Sequence, residues 1–96
     1  MSLQGVEAIK NFKAVSKEYI DLCDKYLAIA SAKSYIAVQS VREEVVLNLS
    51  TVETVFGSGS TPSEISSEML NMIIGMTNAT QESLSNLKKA YAEAQR

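Results

Sequence analysis

The chain has 96 residues, of which 46% are hydrophobic and 21% charged, and its net charge at neutral pH is −2. These values are ordinary for a globular protein and exclude collagen-like or intrinsically disordered chains. A chain of this length buries only about 60% of the surface that its unfolded form exposes. We therefore predict one helical domain over residues 1–96 with a small core, to which a partner or a second copy would add burial.

The ionisable and sulfur-containing residues exclude several classes of function. The net charge is negative and Lys and Arg are not clustered, so the chain has no electrostatic attraction to phosphate backbones. We therefore expect no nucleic-acid partner. The chain has no histidine and one cysteine, Cys23, which excludes imidazole catalysis, cysteine zinc sites and internal disulfides. We expect no catalytic residue, no metal site and no cofactor. Free cysteine is among the most buried residue types, so we predict that Cys23 is buried.

The apolar segments are too short to cross a membrane. The longest of them, residues 44–52 and 69–76, contain polar residues and fall below the roughly 20 residues that a spanning helix needs. The beginning of the chain has no basic leader followed by an apolar run. We expect no transmembrane segment, and a protein that is cytoplasmic or exported without a cleaved signal peptide.

Apolar residues recur at helical spacing between residues 6 and 56, a stretch without proline or glycine. Steps of three and four are typical of one buried helix face, and they predict a helix over about 4–56. In residues 28–34 alanines and serines replace the large side chains. This allows either a continuous helix with a tight crossing or a break near 31–34. The second half carries a seam suited to packing against another helix, consisting of Val38, Val41, Val45, Leu49, Val52 and Phe56.

Turn and cap signals follow this segment. Glycines and serines over residues 57–61 are typical of a helix end and a polar loop, because glycine readily adopts the left-handed conformation of helix C-termini. Residues 61–64, Thr-Pro-Ser-Glu, form a capping box with proline at the first helical position, which predicts a second helix over about 62–94. The residues that carry these signals are Gly57, Gly59, Thr61, Pro62 and Glu64.

The predicted second helix carries a methionine stripe and an internal glycine. Met69, Met72 and Met76 share one face, and methionine repacks readily, so this stripe can fill the core or receive a partner helix. Glycine inside a helix costs about 1 kcal/mol relative to alanine. We therefore expect Gly75 where the two helices approach each other closely.

These elements predict an all-α fold: an antiparallel helical hairpin, or a three-helix bundle if the first helix is broken, with a four-helix assembly as a dimer. The function we expect is that of a non-enzymatic helical interaction protein, which self-associates or pairs with another helical protein. The alternative is a helical bundle that binds a small ligand or a membrane surface. The predicted partner interface consists of Val41, Val45, Leu49, Val52, Phe56, Met69, Met72 and Met76.

Two long helices around a glycine-bearing turn, in about a hundred residues, resemble the layout of the early-secreted-antigen hairpin proteins of bacterial specialised secretion. Proteins of that family form four-helix dimers and are exported by a machine that reads a Trp-x-Gly turn and a Tyr-x-x-x-acid tail. Here the turn reads "VFGSG" without tryptophan, and Tyr91 is followed four residues later by Gln95 rather than an acid. The resemblance covers the layout of the whole chain, and it implies a secretion-system substrate or chaperone.

Overall fold

The computed structural model describes residues 3–56 and 66–95, which form three α-helices. Helix α1 spans Leu3–Leu27, α2 spans Ala32–Phe56, and α3 spans Ser67–Ala94. No strand occurs among the described residues. The predicted all-α class is therefore confirmed.

The helix predicted over 4–56 is interrupted by a turn at residues 28–31. The hydroxyl of Ser31 accepts a hydrogen bond from the amide of Ser34 at 3.3 Å, and its carbonyl accepts one from the amide of Tyr35 at 2.8 Å. Ser31 thus satisfies backbone donors at the start of α2, as an N-cap does. The interpretation as a continuous helix is wrong, and the alternative with a break and three helices is observed.

Helix α1 is the central helix and packs against both α2 and α3. Its N-terminal half, the C-terminal half of α2 and the N-terminal half of α3 meet in a cluster of Ala8, Ile9, Phe12, Val52 and Ile73. Its C-terminal half, the middle of α2 and the C-terminal half of α3 meet in a second cluster of Val15, Tyr19, Cys23, Tyr26, Val45, Leu84 and Leu87. Helix α1 therefore runs antiparallel to α2 and parallel to α3.

Helices α2 and α3 make only marginal contact with each other. Both of them pack on α1, so α1 lies between the other two helices. The molecule measures 48 × 19 × 18 Å, close to the roughly 40 Å length of a single helix of this size. The predicted hairpin, in which the second part of the chain packs along the seam of the first, is not confirmed.

Helix α3 begins at Ser67, and Ser66 is its N-cap. The hydroxyl of Ser66 accepts a hydrogen bond from the amide of Met69 at 3.1 Å, and the backbone of Ser66 is extended, as is usual for an N-cap. The turn and capping box predicted from the sequence fall in residues 57–65, which lie outside the described part of the chain. These include Gly57, Gly59, Thr61, Pro62 and Glu64.

Gly75 lies on the exposed side of α3. A Cβ atom placed on this residue would have no atom within 4 Å. The prediction of a close helix contact at Gly75 is therefore wrong. The physical reason is the rotation of the helix: α3 packs on α1 through the side that carries Leu84, which lies half a turn away from Gly75.

Candidate functional site

An open groove separates α2 from α3, and we call it the α2/α3 groove. It has two compartments with volumes of about 210 and 290 Å³. The wall on α2 consists of Ala37, Val41, Glu44 and Asn48. The wall on α3 consists of Met76, Ala79, Ser83, Asn86 and Ala90. Beneath them the floor consists of Tyr19, Val38, Val45, Thr80 and Leu87.

The α3 side that faces α2 is lined mainly by small side chains, with Met76 as the large exception, whereas the α3 side that faces α1 carries large side chains. Residues seven apart return to nearly the same side of a helix. Met76, Ser83 and Ala90 are related in this way and all line the groove. The buried Leu84 and Leu87 instead complete the core against α1. Small side chains leave space between two helices that are held apart by a third.

The floor of the groove carries a buried tyrosine, and a buried cysteine lies one turn from it on α1. Tyr19 is 3% exposed and Cys23 is fully buried. Burial raises the pKa of Tyr19, and the neighbouring Cys23 adds to this effect. Burial also raises the pKa of the Cys23 thiol, which the neighbouring Tyr19 hydroxyl and the charge of Arg42 partly offset. Both groups therefore stay neutral near pH 7, and the floor presents neither a thiolate nor a phenolate.

The predicted burial of Cys23 as a free thiol is confirmed. The predicted seam residues of α2 lie in different surroundings. Val45 and Val52 are buried in the two core clusters, so they stabilise the fold of the single chain. Val41 is 36% exposed and lines the groove. Leu49 is half-buried, and the side chain of Phe56 lies outside the described part of the chain.

The methionine stripe of α3 is divided between core and surface. Met76 is half-buried, packs against the cluster around Phe12, and lines the groove. Met72 is 63% exposed and Met69 is 36% exposed. Since Met72 lies one turn before Met76, the exposed methionines extend the apolar surface beyond the end of the groove. That the stripe receives a partner stays a prediction.

The sequence analysis missed the small and polar residues of the groove walls, such as Ala37, Ala79 and Ser83. The sequence does contain a pattern that could have indicated them, because residues that recur every seven positions lie on one side of a helix. Val41, Asn48 and Val55 recur at this interval on α2, as Met76, Ser83 and Ala90 do on α3. The predicted seam consists of large apolar residues alone, so it does not indicate a groove that is lined by small ones.

The described helices include none with the length and apolar character of a membrane span. Within residues 3–56 and 66–95, no three His, Cys, Asp or Glu side chains are grouped so that they could hold a metal ion. Comparisons with known protein families, with curated proteins and with solved structures found no match.

Proposed function

We propose that this chain is a non-enzymatic helical interaction protein and that its α2/α3 groove receives one helix of a partner. The observation that carries the proposal is the position of the groove. Helices α2 and α3 both pack on α1 but hardly touch each other, so the space between them corresponds to the fourth corner of a four-helix bundle. A helix placed there would contact α2 and α3 at once.

The walls of the groove have the shape that helix packing requires. Helices in bundles insert the large side chains of one helix into the spaces between side chains of the next. Ala79, Ser83 and Ala90 provide such spaces along α3. Val41 and the floor residue Tyr19 supply apolar surface below them. Leucine-sized side chains of an incoming helix therefore have room and apolar contacts in the same place.

The alternative functions have weaker support. Pockets for small ligands usually hold about 300 to 1,000 Å³ and enclose most of the ligand, whereas the two compartments, at about 210 and 290 Å³, are at or below the low end of this range and open to solvent. For a membrane surface, basic and apolar residues should share one face. Here the exposed Lys10 and Lys17 lie on the side of α1 that faces away from α2 and α3. Helix binding is therefore the function that we propose.

A role in specialised secretion belongs to this proposal as a narrower hypothesis. It comes from the sequence resemblance, whose layout of two long helices differs from the three helices described here. Of the two roles that the resemblance implies, an open groove is better suited to a chaperone, which covers the exposed helix of another protein.

Filling the groove tests the proposal. Ser83→Trp places a large side chain between the walls, and Ser85→Trp is the matched control because Ser85 is exposed on another side of α3. The measurements are mass by light scattering over a range of concentrations, and fluorescence anisotropy of a labelled helical peptide with a leucine face and a glutamine face. Ser83→Trp should weaken either kind of association by at least about ten-fold, while Ser85→Trp should not.

A second variant keeps the test valid if Ser83→Trp does not fold. Ala79 lines the groove but is exposed, so Ala79→Trp should leave the monomer folded and still obstruct the groove. Circular dichroism checks the helix content of every variant. The proposal is overturned if the groove-filling and control variants associate equally well, or if the wild-type chain binds neither itself nor the peptide.

A further inference from the structure

We infer that the helix received by the α2/α3 groove is a cationic amphipathic helix of a different protein. This inference rests on the proposed function and specifies the chemistry of its partner.

The charges on the groove are acidic. Glu44 is the one charged side chain among the described residues that line the two compartments. Glu68 lies 18 residues before Asn86, which is five helical turns, and so it extends the same side of α3 toward the end of the groove. An incoming helix with basic residues beside its apolar face would place them next to both carboxylates.

The basic residues of the neighbouring segments do not neutralise this acidic surface. Arg42 is turned toward α1, where its Nε lies 2.9 Å from Oδ1 of Asp24. On α3 the first base after Ser67 is Lys88, whose Nζ lies 3.3 Å from Oε1 of Glu18 on α1. Lys33 lies one turn before Ala37, at the end of the groove opposite to Glu68. Among the described residues, no basic side chain lies beside Glu44 or Glu68, which favours a cationic partner at their end of the groove.

The walls set the length of the helix that fits. The α3 wall runs from Met76 to Ala90, which corresponds to about 21 Å or four helical turns. The exposed Met69 and Met72 continue it by two turns. A partner helix of about 15 to 20 residues, with apolar side chains every three or four positions and Lys or Arg beside them, would match these walls.

A second copy of this chain matches the groove less well. On the outer face of α1, the basic residues Lys10 and Lys17 have no large apolar side chain between them. The outer face of α2 exposes Ile36 and Leu47 with Lys33 near its end, but Glu43 lies between the two apolar side chains and would bring negative charge to the groove. Like charges across an interface oppose association. We therefore assign the groove to another protein rather than to self-association.

The test compares three labelled helical peptides of about 20 residues that share one leucine face. Their polar faces carry lysine, glutamine or glutamate, and fluorescence anisotropy measures their affinity at low and high salt. The lysine peptide should bind at least about ten-fold more tightly than the glutamate peptide at low salt, and added salt should reduce the difference.

Two charge-reversal variants show whether Glu44 in the groove causes the preference for the lysine peptide. Glu44→Lys should weaken binding of the lysine peptide by about five- to ten-fold. Glu43→Lys is the matched control: it changes the net charge equally, but Glu43 is exposed outside the groove, where it accepts a hydrogen bond from the Gln39 side chain. Its effect should stay below about two-fold. Equal effects of the two variants would mean that net charge, not the groove, attracts the peptide, and would overturn the inference.

The outcomes separate the inference from the proposed function. If all three peptides bind equally and Ser83→Trp blocks them, the groove binds helices but the cationic partner is wrong. If the chain is a dimer that Ser83→Trp dissociates, the occupant is a second copy, and the inference again fails alone. If no peptide binds and the chain stays monomeric, both proposals fail.

Discussion

Helix α3 has two neighbours, and it contacts them in very different ways. Toward α1 it presents Ile73, Leu84 and Leu87, which are almost completely buried. Toward α2 it presents Ala79, Ser83 and Ala90, and a groove remains open between the helices. One side of α3 is thus packed closely against α1, and we call this contact the closed seam. The other side borders the open α2/α3 groove.

The difference lies in side-chain size more than in hydrophobicity. Both sides of α3 are largely uncharged, but only large side chains reach far enough to close the distance to a neighbouring helix. The closed seam with α1 provides the burial that folds the chain. The α2/α3 groove keeps apolar surface exposed, and this is the surface that we propose for binding a partner helix.

Truncation in the closed seam should have the largest effect. Leu84 is fully buried in the core cluster, so Leu84→Ala should lower the free energy of unfolding by about 2 to 5 kcal/mol. Met72→Ala, on the exposed continuation of the groove, should change it by less than about 0.5 kcal/mol. Urea unfolding followed by circular dichroism measures both. Similar losses would contradict the division of α3 into a structural and a binding side.

High pH should weaken the closed seam next to Tyr19. Burial raises the pKa of Cys23 and of Tyr19 in the folded chain, so both keep their protons to a higher pH than in the unfolded chain, where they titrate near 8.5 and 10. The folded state then binds more protons, and stability falls as the pH rises. The stabilisation that these two raised pKa values provide is fully present below about pH 8.5. Above that pH, each group lowers the free energy of unfolding by at most about 1.4 kcal/mol per pH unit.

Urea unfolding in reducing buffer between about pH 7 and 10 checks this prediction. Cys23→Ala removes the thiol, so its stability should decline less steeply above about pH 8.5 than that of the wild-type chain. A stability that stays constant up to about pH 10 would show that the two groups titrate as exposed side chains do.

A third side of α3, which faces solvent, should accept a methyl group without cost. Nothing lies within 4 Å of a Cβ atom at Gly75, and alanine is favoured over glycine inside a helix by about 0.8 to 1 kcal/mol. Gly75→Ala should therefore raise the melting temperature by about 4 °C or more. A lower melting temperature would mean that another part of the chain packs on this side.

A small effect is expected for the ion pair between α1 and α2. Asp24 and Arg42 are in contact at 2.9 Å, but the side chain of Asp24 is 57% exposed. Exposed pairs contribute about 0.2 to 1 kcal/mol and are screened by salt. Asp24→Asn should therefore cost less than about 1 kcal/mol in urea unfolding, and the loss should shrink further in about 1 M salt. A larger, salt-independent loss would place this contact in the structural core.

The sequence predicted the helical class and the burial of Cys23, because apolar spacing and residue type are local properties. It left the break near Ser31 open, since serine can either continue a helix or cap the next one. It placed Gly75 wrongly, because the side of α3 that meets α1 depends on tertiary packing. The groove could not be foreseen from large apolar residues, because small ones line it.

The most direct test of the central claim is two-dimensional NMR of the free protein during titration with the leucine-faced peptides that carry glutamine or lysine. If a helix enters the α2/α3 groove, the largest chemical-shift changes should occur in the residues that line it. These are Val41 and Asn48 of α2 and Ala79, Ser83 and Ala90 of α3. The outer residues of α1, such as Lys10 and Lys17, should change little. Changes centred on α1, or no changes with either peptide, would contradict the account.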